Sequence, residues 1–67
     1  MTPVHSSNLA AVGYSFGGRL TIEFHSGGLY QYWQVPPSVY AGLMRAESHG
    51  KYFHAWIKNR YPYRRLR

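Results

Sequence analysis

The clearest pattern in the chain is an alternation of apolar and polar residues over positions 19–25. Leu20, Ile22 and Phe24 share one face of this segment, and the residues between them are polar or charged. A period of two is typical of a strand with one buried side and one solvent-facing side. The pattern therefore predicts a strand in a half-buried antiparallel sheet.

A second and a third strand are predicted before and after this segment. Small and apolar residues fill Leu9–Tyr14, and an aromatic run fills Leu29–Val35. The glycine pairs Gly17-Gly18 and Gly27-Gly28 separate the three segments and predict tight turns, because glycine adopts positive φ without steric cost. Sequential strands joined by such turns form an antiparallel meander.

Two helices are predicted after the strands. Pro36 and Pro37 end the third strand, since proline donates no ladder hydrogen bond, and proline suits the first turn of a helix. Helical spacing of apolar residues continues to Ala46, and Gly42 within it indicates a close packing contact. Ser48 is expected to cap the second helix. The apolar stripe predicted for that helix is Phe53, Trp56 and Ile57, with Tyr52 at its flank.

These elements predict an α+β fold in the order β-β-β-α-α. A three-stranded antiparallel meander is followed by two short helices packed on one face of the sheet. Residues 1–6 are expected to form a flexible leader, and residues 7–66 a single domain. Pro62 is expected to end the second helix, and the tail beyond it to be extended and to lie back on the body through Tyr63 and Leu66.

Length and composition narrow the class of protein. Sixty-seven residues make one domain at most, and the absence of cysteine excludes disulfides and thiolate metal sites. No apolar run reaches the roughly 18 residues that a membrane span needs, so no membrane role is expected. We expect a cytoplasmic protein that is monomeric rather than oligomeric.

Positive charge is the strongest compositional signal. Eight Lys and Arg residues face two Glu residues and no Asp, for a formal net charge of +6. The cations are concentrated after Gly50, and no carboxylate side chain follows Glu47. Such a balance indicates anionic partners and solubility, and carries no information on the fold.

The residues offer little for catalysis or cofactor binding. Glu23 and Glu47 are the only carboxylate side chains, so a paired acid and base is not expected. His49 and His54 are five residues apart and do not share one face of a helix. Gly50-Lys51 lacks the first glycine and the Ser or Thr of a phosphate loop. We predict no enzyme activity, no metal and no cofactor.

The order of several short motifs resembles one known family. Tyr30-Gln31-Tyr32 followed by Val35-Pro36 looks like the central Y-x-Y…V-P motif of the KTSC domain. Further matches, from about Ser7 to Leu66, are Ser7-Asn8, Gly13-Tyr14, Ser26-Gly27, Ser48-x-Gly50-Lys51-Tyr52-Phe53, Ile57 and Tyr61-Pro62-Tyr63. The KTSC domain takes its name from the C-terminal extension of some lysyl-tRNA synthetases and also occurs as a stand-alone protein in bacteria and phages. The resemblance implies this domain, and its attachment to a synthetase suggests RNA binding.

The motif tyrosines have two interpretations. Tyr30 and Tyr32 either point outward as a stacking pair beside Arg19, as in single-stranded RNA binders, or pack inward against the helices. We favour inward packing, so Tyr30, Tyr32, Val35 and Pro36 are interpreted as structural. Trp33 is then the exposed aromatic of this segment.

The leading functional hypothesis is a small non-catalytic module that binds RNA or single-stranded nucleic acid. Arginine and lysine would contact phosphates, and aromatic rings would stack on bases. The predicted binding residues are Lys51, Lys58, Arg60, Arg64 and Arg65 for phosphates, with Trp33, Tyr61 and Tyr63 for stacking. The alternative is a protein–protein interaction module that docks on an acidic partner through the same basic face or an exposed Tyr–Trp patch with Arg anchors.

Overall fold

The computed structural model describes all 67 residues and contains one antiparallel sheet and two helices. The predicted α+β class is confirmed. The elements are β1 (Thr2–Pro3), β2 (Leu9–Ser15), β3 (Arg19–Phe24), β4 (Leu29–Tyr32), α1 (Pro37–Arg45), α2 (His49–Trp56) and β5 (Tyr63–Arg65). The strands lie side by side in the order β1-β2-β3-β4-β5.

The sheet has five strands, so the predicted three-stranded meander is incomplete. Strands β2, β3 and β4 form the predicted meander. Strand β5 adds to the free edge of β4, with Tyr63 opposite Tyr32 and Arg65 opposite Tyr30. Strand β1 pairs with β2, so part of the expected leader belongs to the sheet. Each added strand supplies partners for backbone groups that an edge strand would otherwise leave to solvent.

The third strand is shorter than predicted because the chain turns after Trp33. Gln34 adopts positive φ (61°), which ends the extended run before Val35. Val35 is then held by two hydrogen bonds. Its N–H donates to the Gly18 carbonyl at 3.0 Å, and its carbonyl accepts from the Tyr14 hydroxyl at 2.6 Å. The Val-Pro pair is therefore a fixed corner between the sheet and α1.

The signals for the start of each helix are confirmed, but the predicted end of the second helix at Pro62 is wrong, because α2 already ends at Trp56 and Asn59 beyond it adopts positive φ (63°). Pro37 is the first residue of α1, and the Ser48 hydroxyl accepts from the Lys51 N–H at 3.2 Å to cap α2. The close contact expected at Gly42 is with Tyr52, since a Cβ placed on Gly42 would lie 2.6 Å from Tyr52 Cζ. Absence of a side chain at this position lets the two helices approach each other.

The core lies between the two helices and one face of the sheet. Its nine buried side chains come from β2, β3, β4, the corner, both helices and the residue after α2, and they are Leu9, Val12, Leu20, Ile22, Tyr32, Val35, Leu43, Phe53 and Ile57. Phe24 is only partly buried. Trp56 was predicted in the apolar stripe of α2, but it is 53% exposed because no element covers its flank of the helix.

Alternation along β4 and β5 separates their side chains onto the two faces of the sheet. Tyr32 is in the core, so Tyr30, Tyr63 and Arg65 lie on the helix-covered side. Gln31 and Arg64 lie on the other side, which no helix covers. We call this second side the open face.

Candidate functional site

A cleft of about 550 Å³ lies between α2 and strands β3, β4 and β5. Its aromatic lining consists of Phe24, Tyr30, Tyr32, Phe53 and Tyr63. Its polar lining consists of Ser7, Asn8, His25, Ser26, His54, Lys58 and Asn59. A concave apolar surface with a few converging polar groups is the usual form of a ligand site. We call this site the aromatic cleft.

The rings of the aromatic cleft form one contiguous network. Tyr63 has its ring centroid 5.9 Å from that of Tyr30 and 5.6 Å from that of Tyr32, at tilted angles. Phe24 meets Tyr30 edge-on at 5.5 Å, and Phe53 meets Tyr32 edge-on at 5.7 Å. Edge-to-face contacts of this kind are favourable and hold the rings in fixed orientations. The cleft wall is therefore preorganised.

The two tyrosines of the Y-x-Y motif have different environments. Tyr32 is 4% exposed and belongs to the core, which confirms the inward interpretation. Burial raises the pKa of the Tyr32 hydroxyl to about 12, and the neighbouring Tyr30 and Tyr63 add to this effect. Tyr30 also lies on the helix side but is partly exposed in the cleft. The motif therefore contributes both to the core and to the cleft wall.

Three of the predicted cations surround the aromatic cleft. Lys58 lines it, and Arg65 has its guanidinium carbon 5.6 Å from the centroid of the Tyr30 ring. Lys51 lines an adjoining depression that shares Ser7, Asn8 and His54 with the cleft. Lys51 is in the first turn of α2, and Lys58 lies two residues beyond its end.

Neither glutamate side chain pairs with any of these three cations, and the Arg65 Nε–H donates to the Arg67 main-chain oxygen at 2.9 Å. The one ion pair in the molecule joins Arg67 to Glu23 at 2.6 Å, and Glu47 is exposed. Neither glutamate lines the aromatic cleft. The cleft therefore combines exposed aromatic surface with positive charge and contains no glutamate side chain.

The other predicted binding residues lie elsewhere. Trp33 and Arg64 are on the open face, behind the sheet as seen from the cleft. Trp33 was predicted as an exposed aromatic, but its side chain is only partly exposed. Arg60 turns back on α2, with its Nε–H donating to the Ala55 carbonyl at 3.0 Å and its guanidinium carbon 5.5 Å from the Trp56 ring centroid. Tyr61 packs against the core. The predicted residues thus occupy separate surfaces of the protein.

Several polar residues of the cleft were not selected by sequence reasoning. Asn8 directly precedes β2, whereas His54 and Asn59 lie in α2 and just beyond it, so the fold brings Asn8 to the other two. One signal was present for Asn59, which adopts positive φ (63°) just beyond α2. Asparagine tolerates this conformation and often follows the end of a helix.

The histidines do not form a metal centre. No group of three or more His, Cys, Asp or Glu side chains converges anywhere in the chain. His25 donates to the Ser6 carbonyl at 2.9 Å, if Nε2 carries the proton, and His49 is 2.7 Å from the Leu43 carbonyl through Nδ1.

Neither α1 nor α2 has the length and apolar character that a bilayer crossing requires.

The chain is similar to part of a much larger enzyme. A lysine–tRNA ligase of Nostoc punctiforme is 47% identical over 47 residues, which cover 70% of this chain and 8% of that protein. A lysine–tRNA ligase of Trichormus variabilis matches to the same extent. The chain thus spans about 8% of the length of these curated relatives.

Other relatives match from end to end. A protein of Stutzerimonas stutzeri is 40% identical over 65 residues, covering 94% of this chain and 92% of that one. The crystal structure of a KTSC domain protein from Yersinia pestis superposes with a TM-score of 0.95 at 34% identity, covering 98% of this chain and 94% of that one. The family profile described as the KTSC domain matches residues 5–61. The resemblance in the motifs is thereby confirmed, and the chain belongs to the KTSC domain family.

Proposed function

We propose that this protein is a non-catalytic module that binds RNA or another single-stranded nucleic acid in the aromatic cleft. One observation carries the proposal. The exposed Tyr63 ring and the partly exposed Tyr30 ring share with Lys58 a cleft whose lining contains no carboxylate, and Arg65 lies over the Tyr30 ring. Phosphate groups and nucleobases are the ligand chemistry that cations and open aromatic rings bind together.

Tyr63 is the main stacking surface in this proposal. Its side chain is 54% exposed although its ring is fixed against Tyr30 and Tyr32. A base stacked on such a ring contributes about 1–3 kcal/mol. Because Tyr63 is already ordered by its neighbours, little side-chain entropy is lost on binding.

A single strand suits the cleft better than a duplex does. Stacking on Tyr63 requires a base whose face is free, and bases within a duplex have their faces covered by neighbours. The cleft is concave and is bordered by α2 and β5, so it does not present a protruding element to a groove. Single-stranded loops and ends meet both requirements.

The composition of the cleft supports a binding role without catalysis. Glu23 is paired with Arg67, and neither glutamate reaches the cleft as a general acid or base. The lysine–tRNA ligases that share this domain carry a name that implies contact with an RNA. That association supports RNA as the nucleic acid for this chain.

An equilibrium titration tests the proposal. Fluorescence anisotropy would compare a labelled RNA decamer of mixed sequence with its duplex form over a series of salt concentrations. If Lys51, Lys58 and Arg65 each neutralise one phosphate, the log–log salt slope for the single strand is about −2. The proposal would be contradicted if the duplex bound with equal affinity, or if the affinity for the decamer did not change with salt concentration.

A second candidate function is docking on an acidic protein partner, and the patch around Trp56 favours it. Trp56 is 53% exposed. Its ring centroid is 6.3 Å from that of Tyr52 and 5.5 Å from the guanidinium carbon of Arg60. Exposed Trp, Tyr and Arg side chains are enriched at interaction hot spots. The W56A variant separates the two functions, because Trp56 and His54 lie on opposite flanks of α2. RNA affinity should not change in W56A if the aromatic cleft is the nucleic-acid site.

A further inference from the structure

We propose that the open face carries a second subsite for the same nucleic-acid strand, which crosses the β5 edge from the aromatic cleft to Trp33. This inference rests on the proposed function of the cleft. It assigns a role to the predicted residues Trp33 and Arg64, which the fold places on the other side of the sheet.

Strand β5 provides the connection between the two sites. Successive residues alternate across the sheet, so Tyr63 and Arg65 lie at the cleft while Arg64 lies on the open face. The strand is only three residues long and is the last in the sheet. A bound strand that leaves the cleft at Arg65 therefore meets Arg64 directly around this edge.

Trp33 lies between cations on the open face. The Trp33 N–H donates to the Pro62 carbonyl at 2.9 Å, so the pairing of β4 with the β5 segment extends to Trp33. Leu20 pairs with Tyr32, and one step further along this register places Arg19 opposite Trp33. Gln31 pairs with Arg64, which puts Arg64 diagonally across from Trp33.

The charge on the open face is uneven, and this favours a nucleic-acid occupant near Trp33. Arg67 is paired with Glu23. Glu23 is opposite Leu29, at the end of the β3–β4 pairing that is farther from Trp33. Arg19 and Arg64 have no ion-pair partner. A Trp ring flanked by two free guanidinium groups fits an anionic ligand with flat bases, which is the combination that single-stranded nucleic acids present.

The experiment uses Trp33 as the reporter. In the W56F variant, Trp33 is the only remaining tryptophan, and its fluorescence is followed during titration with a trinucleotide and with a decamer of RNA. The trinucleotide should shift the NMR signals of Tyr63 without changing Trp33 emission. The decamer should change Trp33 emission and bind at least tenfold more tightly. Arg64 is exposed. The R64E variant should weaken decamer binding roughly tenfold or more and leave trinucleotide binding unchanged.

Each of the other outcomes would overturn the second subsite, and one of them would also overturn the proposed function of the cleft. Trinucleotide binding at Tyr63 with a silent Trp33 in the saturated decamer complex would overturn the second subsite and leave the function of the cleft intact. An equal loss of affinity for the trinucleotide and for the decamer in R64E would overturn the second subsite as well. No binding of either RNA would overturn both proposals. A Trp33 response to a polyglutamate peptide but not to the decamer would overturn the subsite in favour of an acidic protein partner.

Discussion

The backbones of Gly18 and Val35 are in direct contact. Val35 donates its N–H to the Gly18 carbonyl at 3.0 Å, and a Cβ placed on Gly18 would lie 2.9 Å from the Val35 nitrogen. Gly18 also adopts positive φ (77°). This contact ties the β2–β3 turn to the corner between β4 and α1, which sets where the helices start over the sheet.

The G18A variant should lose about 2–4 kcal/mol of unfolding free energy, from positive φ together with the clash against Val35. G17A is the matched control. Gly17 also has positive φ (89°), but a Cβ there would meet nothing within 4 Å, so only the conformational cost applies. Urea denaturation of both variants checks the difference. Equal losses would contradict the role assigned to the Gly18–Val35 contact.

The contact between Gly42 and Tyr52 should couple the two helices energetically. Alanine favours a helix over glycine by about 1 kcal/mol, but at position 42 overpacking against Tyr52 should outweigh this gain by about 1–2 kcal/mol. In a Y52A background the clash is absent, and G42A should become neutral or stabilising. A double-mutant cycle by thermal or urea unfolding measures the coupling. Additive effects would show that Tyr52 does not limit the side chain at position 42.

The buried Tyr32 hydroxyl predicts a loss of stability at high pH. Its pKa is raised from 10.0 to about 12 in the folded protein, so the unfolded chain releases this proton first as the pH rises. The unfolded state then binds fewer protons than the native state, and the unfolding free energy falls between those two pKa values. The full contribution is roughly 2–3 kcal/mol. Urea unfolding at several alkaline pH values should show a shallower decline in Y32F, and an identical decline would contradict the assignment.

The cations around the aromatic cleft should matter individually for RNA affinity. Removing one phosphate contact, in K58A or R65A, should weaken decamer binding by about 1 kcal/mol, or roughly fivefold, and reduce the salt slope by about 0.7. R45A is the control, because Arg45 is an exposed cation at the end of α1 that does not line the cleft. Anisotropy titrations check all three variants. A loss in R45A as large as in K58A would indicate non-specific attraction to net charge.

Local signals were sufficient for most of the secondary structure. The alternation through Leu20 and Ile22 identified the central strand, and both residues are fully buried. The Ser48 hydroxyl caps α2 as its position predicted. These signals depend on neighbouring residues alone, so no knowledge of the tertiary fold was required.

The missed strands depend on long-range pairing. Strands β1 and β5 have two and three residues, too few for a period of two to show, and Pro3 and Pro62 lie within or beside them. Their extended form comes from the partners that β2 and β4 offer. Without the register of β5, the sequence could not show that Arg64 and Arg65 lie on opposite faces of the sheet.

Binding of single-stranded nucleic acid in the aromatic cleft can be mapped residue by residue with NMR. The protein would be titrated with an RNA decamer at low salt while the backbone and aromatic signals are followed. If the cleft is the binding site, the largest shifts occur at Tyr30, Tyr63, His54 and Lys58, and the signals of Arg45 do not change. An absence of shifts at low salt, or shifts confined to residues outside the cleft, would contradict binding in the cleft.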